Sequence, residues 1–143
     1  MTEARVFVFF YGSYMNPAVL AEVGVAPASW EAASLPGFEI RIAPRANLVR
    51  AAGQVVYGVL ATATHGELER LYAHAQAVLG ELYLPEAVLV HTARGEWRPA
   101  LCYLAPHMAE QAADPAYVER ILQPARELGF PAWYLAHVAS FRA

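Results

Sequence analysis

Val6 to Leu20, VFVFFYGSYMNPAVL, passes from an apolar β-type run through a glycine turn into a helix start. Its Val and Phe content is that of a strand buried on both faces, and the run breaks at Gly12-Ser13. Asn16 followed by Pro17 predicts a helix start, because Asn caps orphan amides and proline at the first helical position loses no hydrogen bond. A short helix from Pro17 to Val23, ended by Gly24, is expected. A strand that delivers a glycine loop straight into a helix start converges free amides on one point. A ligand carboxylate suits such a loop.

Downstream, Ser29 to Leu35 and Phe38 to Ala43 are expected as separate strands divided by Pro36-Gly37. A short apolar segment, Ala46 to Val49, precedes Gly53. Gln54 to Ala61 is a further strand, and Gly58 inside it signals a bulge or a close backbone approach. Thr64 with Glu67 three positions later forms a capping box. Leu68, Leu71, Ala75, Val78 and Leu79 then recur at helical spacing, which predicts one inward stripe containing position 75. Tyr83 to Thr92 and Trp97 to Leu104 form a hairpin around Arg94-Gly95-Glu96. Asp114-Pro115 starts a helix that places Tyr117, Ile121 and Leu122 on one side and that Pro124 is expected to kink or split. Gly129 and Pro131 end it and open a last short helix to His137. Periodicity gives an α+β class.

A chain of 143 residues with 57% hydrophobic content is expected to form one domain, 1–143, with an ample core. The net charge of -3 and ten scattered basic residues speak against nucleic-acid binding. All ten basic residues are arginine, which removes Schiff-base lysine chemistry and the P-loop lysine together. The single Cys102, in ALCYLA, reads as a buried strand thiol, and its lack of a disulfide partner fits a reducing, cytoplasmic setting. The N-terminal apolar run is preceded by Glu3 and broken at Gly12, unlike a signal peptide. No stretch approaches the roughly 20 apolar residues needed to span a bilayer, so no membrane association is expected. His65, His74, His91, His107 and His137 lack metal-site spacing, and no metal or other cofactor is expected. Ser13 as a nucleophile would need Asp114, the sole aspartate, which reads as a helix cap. Phe7, Phe9, Phe10 and Tyr11 fit either a core or a pocket wall.

Tyr11-Gly12-Ser13 closing the first strand resembles the γ-glutamylcyclotransferase-like family, whose first strand ends in Tyr-Gly-Ser-Asn; Tyr14 stands where that family has Asn. The ANLV stretch at Ala46 to Val49 and the VYGVL strand at Val56 to Leu60 are similar to the family pattern. So is the C-terminal run from Tyr117 to Tyr134, with its Ala-Arg-x-x-Gly-x-Pro-x-x-Tyr close. The resemblance runs from about Val6 to Phe141. It implies a small mixed β-barrel-like sheet with peripheral helices. It also implies a pocket in which Phe10, Tyr11, Gly12, Ser13, Tyr14 and Tyr117 hold a small γ-glutamyl or carboxylate compound.

In the family's reaction the α-amine of a γ-glutamyl compound attacks its own γ-carbonyl and releases 5-oxoproline plus an amine. A carboxylate of raised pKa moves the proton. The family's glutamate falls in a Leu-Asp-x-x-Glu-Gly pattern, where this chain reads Leu71-Tyr72-Ala73-His74-Ala75-Gln76; a methyl stands at the base position. Three functions remain open on the sequence. The pocket binds without the usual base; or Glu81, with Glu86 behind it, replaces the base in an active cyclotransferase; or the fold serves as an interaction module, monomeric or homodimeric, through Trp30, Trp97 and Trp133.

Overall fold

The computed structural model describes residues 3–142, so residues 1, 2 and 143 at the ends of the expected domain lie outside the described residues. Five strands, β1 (Arg5–Phe10), β2 (Trp30–Ile42), β3 (Ala46–Thr64), β4 (Leu84–Thr92) and β5 (Trp97–Leu104), form one sheet in the order β1-β3-β2-β4-β5. It closes on itself through a parallel pairing of β1 with β5 at Val8 and Leu101, while all other neighbours are antiparallel. Four helices accompany it: α1 (Pro17–Glu22), α2 (His65–Leu79), α3 (Pro115–Glu127) and α4 (Ala132–Ala139). This is the mixed, barrel-like α+β arrangement expected. Among the described residues no helix is long and apolar enough to cross a membrane.

Two expected breaks are absent. β2 continues through Pro36 and Gly37, and β3 continues from Ala46 to Thr64 without interruption at Gly53. The turn residues instead make a bulge. Pro36 pairs with Val55 and Phe38 with Arg50, so Ala51 to Gln54 of β3 stand against the single Gly37 of β2. Gly37 at φ +85 and Gly53 at φ +79 supply the left-handed backbone this needs. Pro36, which donates no ladder hydrogen bond, sits on the exposed side of this irregularity.

Pro124 likewise does not split its helix, since α3 runs unbroken from Pro115 to Glu127 with Pro124 buried inside it. The proline lies in the last turn, and the Leu128 amide closes onto its carbonyl at 2.9 Å. On α2 the stripe holds at Leu68, Leu71 and Ala75, all buried. Val78 departs from the expected stripe: it is 61% exposed, one residue before the helix ends, while Leu79 beside it is half-buried. Helix starts follow the sequence. The Asn16 side chain accepts from the Ala18 amide and the Asp114 side chain from the Ala116 amide, each at 3.0 Å.

The core fills the barrel and the space beneath α3 and α4, with Val8, Phe9, Ile40, Val56, Leu60 and Ile121 among its buried members. Cys102 is buried in β5 as expected, and burial pushes its thiol up to about 12. Trp30 is half-buried with its ring centroid 6.4 Å from that of Phe10, whereas Trp97 and Trp133 are each 52% exposed.

Gly58 is the close approach anticipated within β3. A Cβ there would collide with the Phe10 carbonyl oxygen and come within 2.7 Å of the Phe9 ring. Backbone cannot yield as a flexible side chain does, so Gly58→Ala must prise β1 from β3. A stability loss of about 1–3 kcal/mol is expected from such overpacking, read as a lower urea midpoint with unchanged slope. An unchanged midpoint would show that the β1–β3 contact is looser than this geometry.

Candidate active site

The pocket lies where β1 leaves the sheet. Tyr11 follows the strand, Gly12 turns the chain, and Ser13–Met15 form one 3-10 turn before α1. A Cβ on Gly12 would meet the Ala46 Cβ at 3.0 Å, so the glycine lets this loop close against the start of β3. The Met15 amide closes onto the Gly12 carbonyl at 3.1 Å, while the Ser13 and Tyr14 amides have no hydrogen-bond partner among the described residues.

Phe10, Tyr11, Gly12, Ser13, Tyr14 and Tyr117, the residues expected to bind substrate, all line this one cavity. Ala46, Tyr72, Leu79, Tyr83 and Tyr103 complete it. The space between these side chains, including the solvent-open mouth, is about 340 Å³. The part of it open to a water-sized sphere is only about 30 Å³, room for about two waters and well below the roughly 300–1,000 Å³ typical of ligand pockets. A ligand therefore enters only if the lining rings move apart.

Hydrogen bonds hold most of its rings in place. Tyr11 donates to the Tyr103 carbonyl at 2.6 Å, Tyr83 to the Ala46 carbonyl at 2.6 Å, and Tyr14 to the Leu71 carbonyl at 3.3 Å. Tyr117 is arranged the other way, its hydroxyl oxygen accepting from the Ala46 amide at 3.0 Å with its own proton left to donate. Tyr72 stacks on Tyr103 with centroids 3.7 Å apart and meets the Tyr14 ring edge-on at 5.7 Å.

Chemically the cavity is apolar and neutral. Burial pushes all six phenols above their ordinary range, Tyr14 to about 12, so each is protonated at neutral pH. No carboxylate, imidazole or thiol is among the lining residues. Ala75 is fully buried on α2, three residues after Tyr72 and four before Leu79, and therefore on the stripe that supplies both of those lining side chains. Glu81 is half-buried just past the end of α2 and is not among the lining residues. Its charge still reaches the pocket wall: after burial and the neighbouring Tyr117, Glu81 contributes to raising the Tyr83 phenol. Glu86 lies on β4, paired with Arg50. Among the described residues no cluster of His, Cys, Asp or Glu with the makings of a metal site occurs.

Tyr72, Tyr83 and Tyr103 escape a sequence reading because they come from α2, the approach to β4 and β5, where single aromatics look like ordinary core. The hairpin spacing that pairs β4 with β5 is the one signal that brings Tyr83 near Tyr103.

The family model described as gamma-glutamyl cyclotransferase, AIG2-like, matches residues 8–120. The chain belongs to that family. Among solved structures, a gamma-glutamyl cyclotransferase superposes with a TM-score of 0.77 at 21% identity, over 94% of this chain and 86% of its own. The uncharacterized protein loc79017 from Homo sapiens gives a TM-score of 0.78 at 22% identity, over 95% of this chain and 87% of its own. A yeast gamma-glutamyl cyclotransferase specific to glutathione matches at a TM-score of 0.67 and 12% identity, over 98% of this chain and 96% of its own. These likenesses establish the shared fold of the gamma-glutamyl cyclotransferase family. No match was found among curated protein sequences.

Proposed function

We propose that the pocket binds a small γ-glutamyl or carboxylate compound and that the chain lacks the proton-transfer group of an ordinary γ-glutamyl cyclotransferase. The observation that carries this reading is the composition of the lining: loop amides and phenols that can orient oxygens, with no group able to take a proton from an ammonium at neutral pH. The unpartnered Ser13 and Tyr14 amides, with the free proton of the Tyr117 hydroxyl, supply donors for carboxylate or amide oxygens. With about 30 Å³ open between the rings, even a compact ligand of 5-oxoproline size requires them to part, and a bulky γ-glutamyl adduct requires more.

Thermal-shift and calorimetric titration with 5-oxoproline, glutamate and γ-glutamyl amino acids tests this. A ligand bound at 100 times its Kd stabilises the folded chain by about 2.7 kcal/mol, a shift both methods resolve. Stabilisation by at least one of these compounds is expected, and loss of that effect in Gly12→Val would place it at the loop, where the added side chain meets Ala46. A flat response to every compound rejects the reading.

A further inference from the structure

Of the ten arginines, most are answered within the protein. Arg5, Arg50, Arg94, Arg98, Arg126 and Arg142 pair with glutamates, and Arg70 donates to the Gly24 carbonyl. Arg41 and Arg120 are exposed and need no partner but water. Arg45 differs from all of them: it is half-buried, yet among the described residues its guanidinium has no carboxylate or carbonyl partner. It does not line the pocket itself but lies over the ring of Tyr117, which does, with its guanidinium carbon 4.8 Å from the centroid, and it immediately precedes the lining residue Ala46.

The segment carrying it is fixed by the pocket's own residues. Ala46, the next residue, is gripped at both ends, its amide donating to the Tyr117 hydroxyl at 3.0 Å and its carbonyl accepting from Tyr83 at 2.6 Å. Asn47 then exchanges hydrogen bonds with Ala105, donating to its carbonyl at 2.8 Å and accepting from its amide at 2.9 Å. A guanidinium held beside a neutral cavity on a tied-down backbone, without a counter-ion, is the arrangement of an anion receptor before its ligand arrives.

The geometry points to Arg45 as the residue that anchors a ligand carboxylate at the pocket and makes the site selective for acids over their neutral amides. This rests on the pocket being a binding site, as proposed above, and adds the charge it requires of the ligand. Electrostatics agrees in direction: burial raises the Tyr83 and Tyr117 phenols, the Ala46 amide, Arg45 and Arg120 pull Tyr117 back, and of the two arginines only Arg45 also pulls back Tyr83.

The test uses 5-oxoproline and its carboxamide, which match in shape and differ in charge. Calorimetry on the full chain is expected to show the acid binding at least tenfold more tightly than the amide, since hydrogen bonds to a charged partner are roughly twice as strong as neutral ones. Arg45→Met is expected to remove that preference while leaving amide binding within about twofold; Arg45→Lys, which keeps the charge but not the fork, retains part of it. Arg120→Met, a change on the exposed side 5.8 Å from the same ring, is expected to leave it intact. Equal binding of acid and amide by the unmodified protein overturns the role of Arg45 while the pocket reading stands. Retention of the preference in Arg45→Met does the same. If neither compound binds at any concentration, this inference is overturned, and the pocket reading falls with it only if glutamate and the γ-glutamyl amino acids also fail to bind.

Discussion

Incubated with ordinary γ-glutamyl amino acids, the purified protein is expected to release no 5-oxoproline above background. Cyclisation needs a group that accepts the ammonium proton and returns it to the leaving nitrogen, and every titratable group in the cavity lining is a phenol held protonated by burial. Loss of a positioned general base typically lowers the rate by about 10² to 10⁴. The helical stripe of Tyr72, Ala75 and Leu79 makes Ala75→Glu the matching gain-of-function test, because two of those three positions already face the cavity. A carboxyl introduced there is buried, so its pKa rises, which suits a base, while the fold loses several kcal/mol unless the group stays neutral or finds a partner. Release of 5-oxoproline by folded Ala75→Glu, and not by the parent, is the expected pair of results. Turnover by the parent would reject the prediction. Its disappearance in Glu81→Gln would then identify Glu81 as the base, reaching the cavity from beside Tyr83.

How far the sequence carried differs between local and long-range features. The turn at Gly12, the caps at Asn16, Thr64 and Asp114, and the β4–β5 hairpin each depend on residues a few positions apart, and each stands where local chemistry puts it. Pro36-Gly37 and Gly53 misled because the same residues serve a turn and a bulge equally well. Which of the two forms depends on whether the partner strand continues, and β2 and β3 do pair on both sides of the irregularity. The cavity follows the same division. Its loop half, Phe10 to Tyr14, is one contiguous motif, while Tyr72, Tyr83 and Tyr103 are assembled only when α2 and the β4–β5 hairpin pack together. Arg45 had no signal in the sequence at all, since its distinction is the missing partner, a property of the folded chain.

The largest stability effect is expected at Glu67, whose role goes beyond its capping box. One carboxylate oxygen accepts from the Thr64 amide at 2.9 Å and lies 3.3 Å from Arg5; the other accepts from the Ala26 amide at 3.0 Å. The Thr64 hydroxyl reciprocates by accepting from the Glu67 amide at 3.0 Å. A single buried side chain thus joins the end of β3, the start of α2, the segment after α1 and the first residue of β1. Glu67→Ala removes the cap and leaves the Thr64 and Ala26 amides without their acceptor. The expected cost is about 2–4 kcal/mol, against about 1 kcal/mol for an ordinary exposed cap. The effect also carries a pH signature. Burial alone would raise the Glu67 carboxyl, but the Thr64 and Ala26 amides, with Arg5 and the Thr64 hydroxyl, outweigh it and hold the group below its ordinary value. A folded-state pKa below the unfolded one means that the charge contributes fully above the ordinary glutamate value of about 4.3 and that the contribution is lost as pH falls through the lower folded value. Urea unfolding of the unmodified protein and Glu67→Gln from pH 7 downwards is therefore expected to show a gap that is constant at neutral pH and narrows below about pH 4. Taking the difference cancels other carboxylates such as Glu119, which keeps the reading specific to this site. A gap that stays constant through the acid range would mean that the Glu67 charge contributes nothing, and that its place in the fold is held by shape and neutral hydrogen bonding alone.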